Sequence, residues 1–193
     1  MGLKLVTAPA NEPAALADVK LHLRVDGAAD DAYIMALITA VRETVEDETR
    51  RALITQTWDL VMDRFPPGNE IKVPFPPLQS VTSIKYTDDS EVENTMPAAD
   101  YIVDVDSLPG RIVLKSSARW PNASLRAAAG VRIQFVAGYG DAAADVPKKI
   151  IQAMYLMIGH YYEHREEVIP DQRLREVPLG AKRLLQSVKV YGF

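Results

Sequence analysis

The sequence predicts an α+β protein, a small helical bundle interrupted by an antiparallel β-rich insert. Three observations predict it. Apolar residues recur at helical spacing over 31–53 and again over 147–165. From about residue 55, Pro and Gly punctuate short segments rich in Val, Ile, Thr and aromatics. No helix-length crossover separates those segments, so their strands are expected to pair antiparallel. The bundle is assigned to 1–54 and 146–193, with a docking tail at its C-terminal end, and the insert to 55–145.

Residues 3–6 (LKLV) form a candidate short strand, and the Pro/Asn-rich stretch 7–13 a turn. Pro13 suits the first turn of a helix, where a missing N–H costs little. Leu16, Val19 and Leu23 then recur at helical spacing, which predicts a short helix over 13–23. The VDGAA stretch at 25–29 breaks it, and Asp30 or Asp31 is placed to cap the next helix.

The segment 31–53 is the clearest element. Ile34, Ile38, Val41, Val45 and Ala52 fall on one stripe, with Leu37 beside them. Arg42, Glu43, Glu46, Asp47 and Arg50 occupy the other face. Glu46–Arg50 and Asp47–Arg51 read as i,i+4 pairs, each worth ~0.2–0.5 kcal/mol in an isolated helix. The stripe implies a partner to pack on, and the charges imply a wet outer face.

Candidate strands in the insert are 56–63, 70–73, 80–87, 100–105, 110–114 and 131–137. Alternation is plainest in 80–87, where Val81, Ile84 and Tyr86 sit among Thr, Ser and Lys. LPG at 108–110 reads as a hairpin turn. GYGDAAAD at 138–145 leads back to helix, with Asp145 as a capping residue and Pro147 in the first turn. The helix over 147–165 is apolar nearly all round (Ile150, Ile151, Met154, Leu156, Met157, Ile158, Tyr161), so it is buried in a core or between subunits. The charged, twice-proline stretch 166–180 reads as an extended arm, and a short basic helix over about 179–190 closes the chain.

At 193 residues the chain holds one domain or two small ones. With Cys 0 it has no disulfide framework, no thiolate zinc site and no cysteine nucleophile. A net charge of −4 argues against a protein that grips DNA by its phosphates. No run approaches the ~18 apolar residues of a membrane span. The first fifteen residues lack a signal-peptide pattern, so a cytosolic or particle-associated soluble protein is expected.

The sharpest catalytic motif is His160-Tyr-Tyr-Glu163-His164. Residues i and i+4 share a helix face, so both imidazoles could hold one zinc while Glu163 acts as base. Glu166, Glu167 and Glu176 are the nearby candidates for a third ligand. The plainer account is that the histidines sit in the last turn of a helix, where they interact with its free carbonyls. Gly138-Tyr139-Gly140 is too short for a phosphate loop and reads as a turn needing positive φ. There is no G-x-S-x-G, and His22 falls mid-helix as a packed or surface residue. Residues 88–106 hold seven acids and no Lys or Arg, but their spacing does not match a calcium loop, and a solvated loop is expected. The stretch 178–193 carries Lys182, Arg183 and Lys189 with no acid, among apolar Leu184, Leu185, Val188, Val190, Tyr191 and Phe193. It is a basic amphipathic tail that packs on its own core or docks on another protein.

Four stretches together resemble the head–tail connector (adaptor) proteins of tailed phages, prophages and phage-like gene transfer particles. The first is Leu16-Ala-Asp-Val-Lys20-Leu-His-Leu23-Arg24-Val-Asp26, then Asp30-Asp31 and the long helix to Leu53. The second is Pro77-Leu-Gln-Ser-Val81-Thr-Ser-Ile84-Lys-Tyr86, then Trp120-Pro121. The third runs from Gly138-Tyr-Gly-Asp141 through Pro147 to His160-Tyr-Tyr162-Glu163-His-Arg165-Glu166, and the fourth is Val177-Pro178 with Leu184-Leu185. The resemblance implies a non-catalytic subunit with no metal and no cofactor. It implies a homo-oligomeric ring, a dodecamer, beneath the portal protein in the neck of a particle assembled in the bacterial host's cytoplasm. Such a ring extends the DNA channel and offers a platform to stopper and tail-completion proteins; a stopper layer is itself the alternative place for this chain. Carried over, 31–53 and 147–165 form the ring body, with Ile34, Ile38, Val41, Met154, Met157 and Tyr161 as ring-interface candidates. The tail 178–193 becomes the portal hook through Leu184, Leu185, Val188, Tyr191 and Phe193, and its removal is expected to leave a folded protein that no longer binds portal. Tyr162 and Arg165 are expected to join the helix end to its neighbours.

Two separated helices with broad apolar faces suit a head-to-tail, heterologous contact, the type that closes rings. A charge of −4 per chain, about −48 for twelve copies, would repel phosphates, so a duplex passes without specific binding.

Overall fold

The computed structural model describes residues 1–165 and 179–191. The fold is α+β, with four α-helices and two antiparallel sheets among the described residues. The chain divides into a β unit, Met1–Ala10 with Thr55–Tyr139, and a helical unit, Asn11–Ile54 with Gly140–Tyr191.

The β unit has eight strands: β1 (Gly2–Thr7), β2 (Gln56–Met62), β3 (Glu70–Lys72), β4 (Leu78–Thr87), β5 (Glu93–Thr95), β6 (Tyr101–Asp104), β7 (Arg111–Leu114) and β8 (Val131–Ala137). Five form one sheet in the order β1-β2-β8-β4-β5 and three form another in the order β3-β7-β6. Central β8 buries Val131, Ile133, Phe135 and Ala137 while Arg132, Gln134 and Val136 between them stay half-buried, the period-two signature of a strand with one dry face. Ile133 lies opposite Leu60 on one side and Ile84 on the other, and all three are fully buried. Gly130, just before β8, is required by close approach: a Cβ there would stand 2.6 Å from the Asp63 carbonyl oxygen.

Two features of this unit depart from the sequence expectation. Residues 2–7 pair with β2 and so belong to the β unit, although the bundle assignment over 1–54 included them. That pairing links segments over fifty residues apart, which no local pattern reveals. β5 falls inside the acid-rich stretch expected to be a loop. Its Glu-Asn-Thr sequence has no apolar alternation, and Glu93 is tied to Lys85 of β4 at 2.7 Å.

The helical unit comprises α1 (Leu16–Leu23), α2 (Asp31–Thr49), α3 (Lys148–Glu163) and α4 (Leu179–Gln186). Val19 of α1, Ile34, Ile38, Val41 and Val45 of α2, and Ile150, Ala153, Met154, Met157 and Ile158 of α3 make its core, joined by Ala181 and Leu185 of α4. α2 ends four residues before the expected limit, because Arg50 turns into the left-handed region at φ 58°. Arg50 and Arg51 therefore lie past the helix, out of register for the expected Glu46–Arg50 and Asp47–Arg51 pairs. Arg42, expected on the wet face, is buried instead, held by Glu46 at 2.8 Å and Glu12 at 2.9 Å. Burial pulls its pKa down, but the two carboxylates outweigh that and the net shift is upward. Glu46 Oε1 also accepts the Leu53 backbone N–H at 2.8 Å.

Candidate interaction surfaces

The start of α2 and the end of α3 meet through side chains. The Tyr162 hydroxyl donates to Asp30 Oδ2, Arg165 approaches the same carboxylate at 3.4 Å, and the Arg165 guanidinium lies over the rings of Tyr33 and Tyr162. The Tyr162 hydrogen bond, then Arg165, hold the Asp30 carboxyl below its ordinary pKa, and Asp30 in turn raises that of Tyr162. Asp30 stands at the N-cap position, yet its side chain makes no capping bond, and Asp31 pairs with Lys20. Asp145 caps the Ala143–Asp145 turn through the Ala142 N–H, while Pro147 stands at the start of α3.

His160, Glu163 and His164 do lie at the end of α3. The two imidazoles stack with centroids 4.8 Å apart, and His164 Nδ1 donates to the His160 carbonyl at 2.9 Å, which fixes the proton on that nitrogen. The helix thus uses His164 to satisfy one of its own terminal carbonyls. Among the described residues no group of three or more His, Cys, Asp or Glu is placed to hold a metal. Glu166, Glu167 and Glu176, the candidate third ligands, and most of the expected arm lie outside the described residues. His22 stacks on Tyr155 of α3, and Gly138 takes φ 132° in the turn that was expected there.

The acids of 88–106 are partly absorbed into turns. Asp88 accepts the N–H groups of Ser90 and Val92. Asp104 accepts from the Ser107 hydroxyl, Arg111 and the Ser107 N–H, which hold its pKa down at about 2. Trp120 stacks on Phe65 and donates its indole N–H to the Gly68 carbonyl, fixing the long β7–β8 connection. An open cavity of about 400 Å³ is lined there by Asp63, Arg64, Phe65, Pro121 and Arg126 among others. Asp63 and Arg126 are bonded to the Ala129 backbone.

Five of the six ring-interface candidates, Ile34, Ile38, Val41, Met154 and Met157, are at most 2% exposed inside the helical unit's own core. They leave no surface for a sister copy; Tyr161 alone of the six is half-exposed. The apolar stripe that predicted an interface is satisfied within the chain, because α2 and α3 pack on each other. Sequence reasoning missed two apolar residues that are exposed in this unit, Leu21 at 80% and Met35 at 55%, since both fall off the stripe.

In the tail, Leu185 is buried against its own unit and is no anchor for a partner. Leu184 and Val188 are half-buried, Tyr191 is exposed, and Phe193 lies outside the described residues. The segment after α4 is bonded to the end of α2: Val190 N–H donates to the Thr49 carbonyl and Arg51 Nε to the Val188 carbonyl.

An α+β chain with an antiparallel β unit and a helical unit is the class these elements define. Residues 13–105 match the family described as Phage gp6-like head-tail connector protein. Three solved structures are similar over 100% of this chain and 97% of theirs. A chain from the neck of an empty GTA particle computed with C6 symmetry has a TM-score of 0.84 at 26% identity. A chain from the virion of a native gene transfer agent (GTA) particle has 0.81 at 25%. One from the neck of a native GTA particle computed with C12 symmetry has 0.76 at 27%. No curated protein matches the chain.

Proposed function

We propose that this chain is a structural neck protein that forms a ring with copies of itself beneath a portal. The ring extends the DNA channel and gives stopper or tail-completion proteins a surface to dock on; the chain performs no bond-making chemistry. The whole-length likeness to a GTA neck chain, TM-score 0.84, carries this reading. The C6 and C12 symmetry of the similar necks supports a cyclic assembly, and a net charge of −4 supports a channel that repels phosphate so that a duplex slides.

Within the helical unit, ring contacts fall to side chains that are free to make them, Leu21, Met35 and Tyr161. Portal docking falls to the exposed side of the tail, Leu184, Val188 and Tyr191. Electron microscopy of particles labelled with antibody to this chain tests the assignment. Label is expected at the junction of head and tail; label on the capsid shell or at the tail tip overturns it.

A further inference from the structure

The five-stranded sheet ends on two unlike edges. At one, all six residues of β1 are exposed although Leu3, Leu5 and Val6 are apolar. Leu3 lies opposite Leu60, and Leu5 opposite Trp58, so the sheet's apolar face runs out to this edge uncovered. Among the described residues nothing pairs with the outer backbone groups of β1. Proteins guard such edges by brevity, charge, proline or bulges. β1 has six residues, one Lys and no Pro, and its register shifts only between Leu5 and Thr7.

At the other edge stands β5. Val92 beside it is 53% exposed, and residues 88–93 carry Asp88, Asp89, Glu91 and Glu93 with no base. Residues 1–10 carry Lys4 and no acid. Each edge therefore offers free strand backbone and at least one exposed apolar side chain; Lys85 and Arg126 pair with Glu93 and Glu91, and Asp88 and Asp89 leave the β5 edge acidic against Lys4 at the other.

We propose that β1 of one copy adds to β5 of the next, continuing the five-stranded sheet from subunit to subunit. Every neighbour in β1-β2-β8-β4-β5 is antiparallel, so β1 and β5 run the same way and the junction is parallel. The choice of a sister copy as occupant rests on the ring reading above. In a ring of more than two copies each contact joins different surfaces, so β1 cannot meet β1.

The chain has no cysteine, so an introduced pair reports one contact. Leu3 and Asn94 face the same side of the sheet through the Ile133 and Val131 rows. Full-length Leu3→Cys/Asn94→Cys, treated with a short bismaleimide over a range of concentrations, is expected to give a ladder of dimers, trimers and longer products on a denaturing gel. Each single variant alone should give none, and a mixture of the two singles should stop at dimer. Absence of the ladder at every concentration overturns the pairing. So does a dimer from Leu3→Cys alone, or an equal ladder from a Leu108→Cys/Asn94→Cys control at an exposed position outside any proposed contact. Native mass spectrometry of the unmodified chain reads ring formation separately. Rings without the ladder remove this contact and keep the ring; the ladder without rings keeps the contact and counts against the ring.

Discussion

The Tyr162 hydroxyl donates to Asp30 Oδ2 at 2.5 Å, across 132 positions of sequence, and so fastens the last turn of α3 to the residue that opens α2. The bond diverts Asp30 from the capping role its position promises. With Arg165 resting 4.6 Å from the Tyr33 ring centroid and 4.9 Å from that of Tyr162, it makes one polar and aromatic joint at this end of the helical unit.

This joint gives a pH signature. The Tyr162 hydrogen bond and Arg165 lower the Asp30 pKa from 3.8. A carboxyl depressed in the folded state stabilises above its unfolded pKa, and that stabilisation is lost as pH falls through the folded value. Tyr162→Phe should therefore melt below the parent protein at pH 7, and the gap should shrink below about pH 4. The Tyr162 pKa is raised, so its contribution is full below the ordinary tyrosine value and fades as pH rises beyond it. Thermal melts across that range read both limbs. A gap that stays constant from neutral to strongly acid pH would show that the stabilisation does not depend on the Asp30 carboxylate.

Arg42 is the second test. Its side chain and that of Glu46 are each 8% exposed, and they pair at 2.8 Å. Arg42→Ala removes the guanidinium that the buried Glu46 carboxylate pairs with, and breaking a buried pair typically costs about 3–5 kcal/mol. Glu46→Gln keeps an oxygen for the Leu53 N–H and should cost less. Urea unfolding of the two variants ranks them, and a milder loss for Arg42→Ala than for Glu46→Gln would refute the account.

Local chemistry made most of the elements legible. Apolar spacing located α2 and α3, alternation located β4, a Val/Ile-rich run located β8, and Gly138 announced its own turn. What stayed hidden was nonlocal. Leu3 and Leu5 look like a short strand anywhere, and only pairing with Leu60 and Trp58 assigns them to the sheet. The stripe of Ile34, Ile38 and Val41 states that something covers it, not whether that cover is α3 or a sister chain. Arg42 on a charged face looks solvated until Glu12, thirty residues earlier, closes over it.

The tail needs a different experiment from the one its sequence suggests. Removing 178–193 takes away Leu185 and Val190, 3% and 8% exposed, and the bond from Val190 N–H to the Thr49 carbonyl. Burying an aliphatic side chain contributes ~1.5–3 kcal/mol, so the truncation should lower the melting temperature and blur a loss of binding with a loss of fold. Tyr191 separates the two. It is 72% exposed, so Tyr191→Ala should change stability by less than about 0.5 kcal/mol. An aromatic anchor at an interface costs about 2 kcal/mol or more when truncated, which means at least tenfold weaker binding to portal. Titration of purified portal with the parent and with Tyr191→Ala measures this. An unchanged melt with tenfold weaker binding supports the docking tail; affinity equal to the parent's for both Tyr191→Ala and Leu184→Ala/Tyr191→Ala removes it.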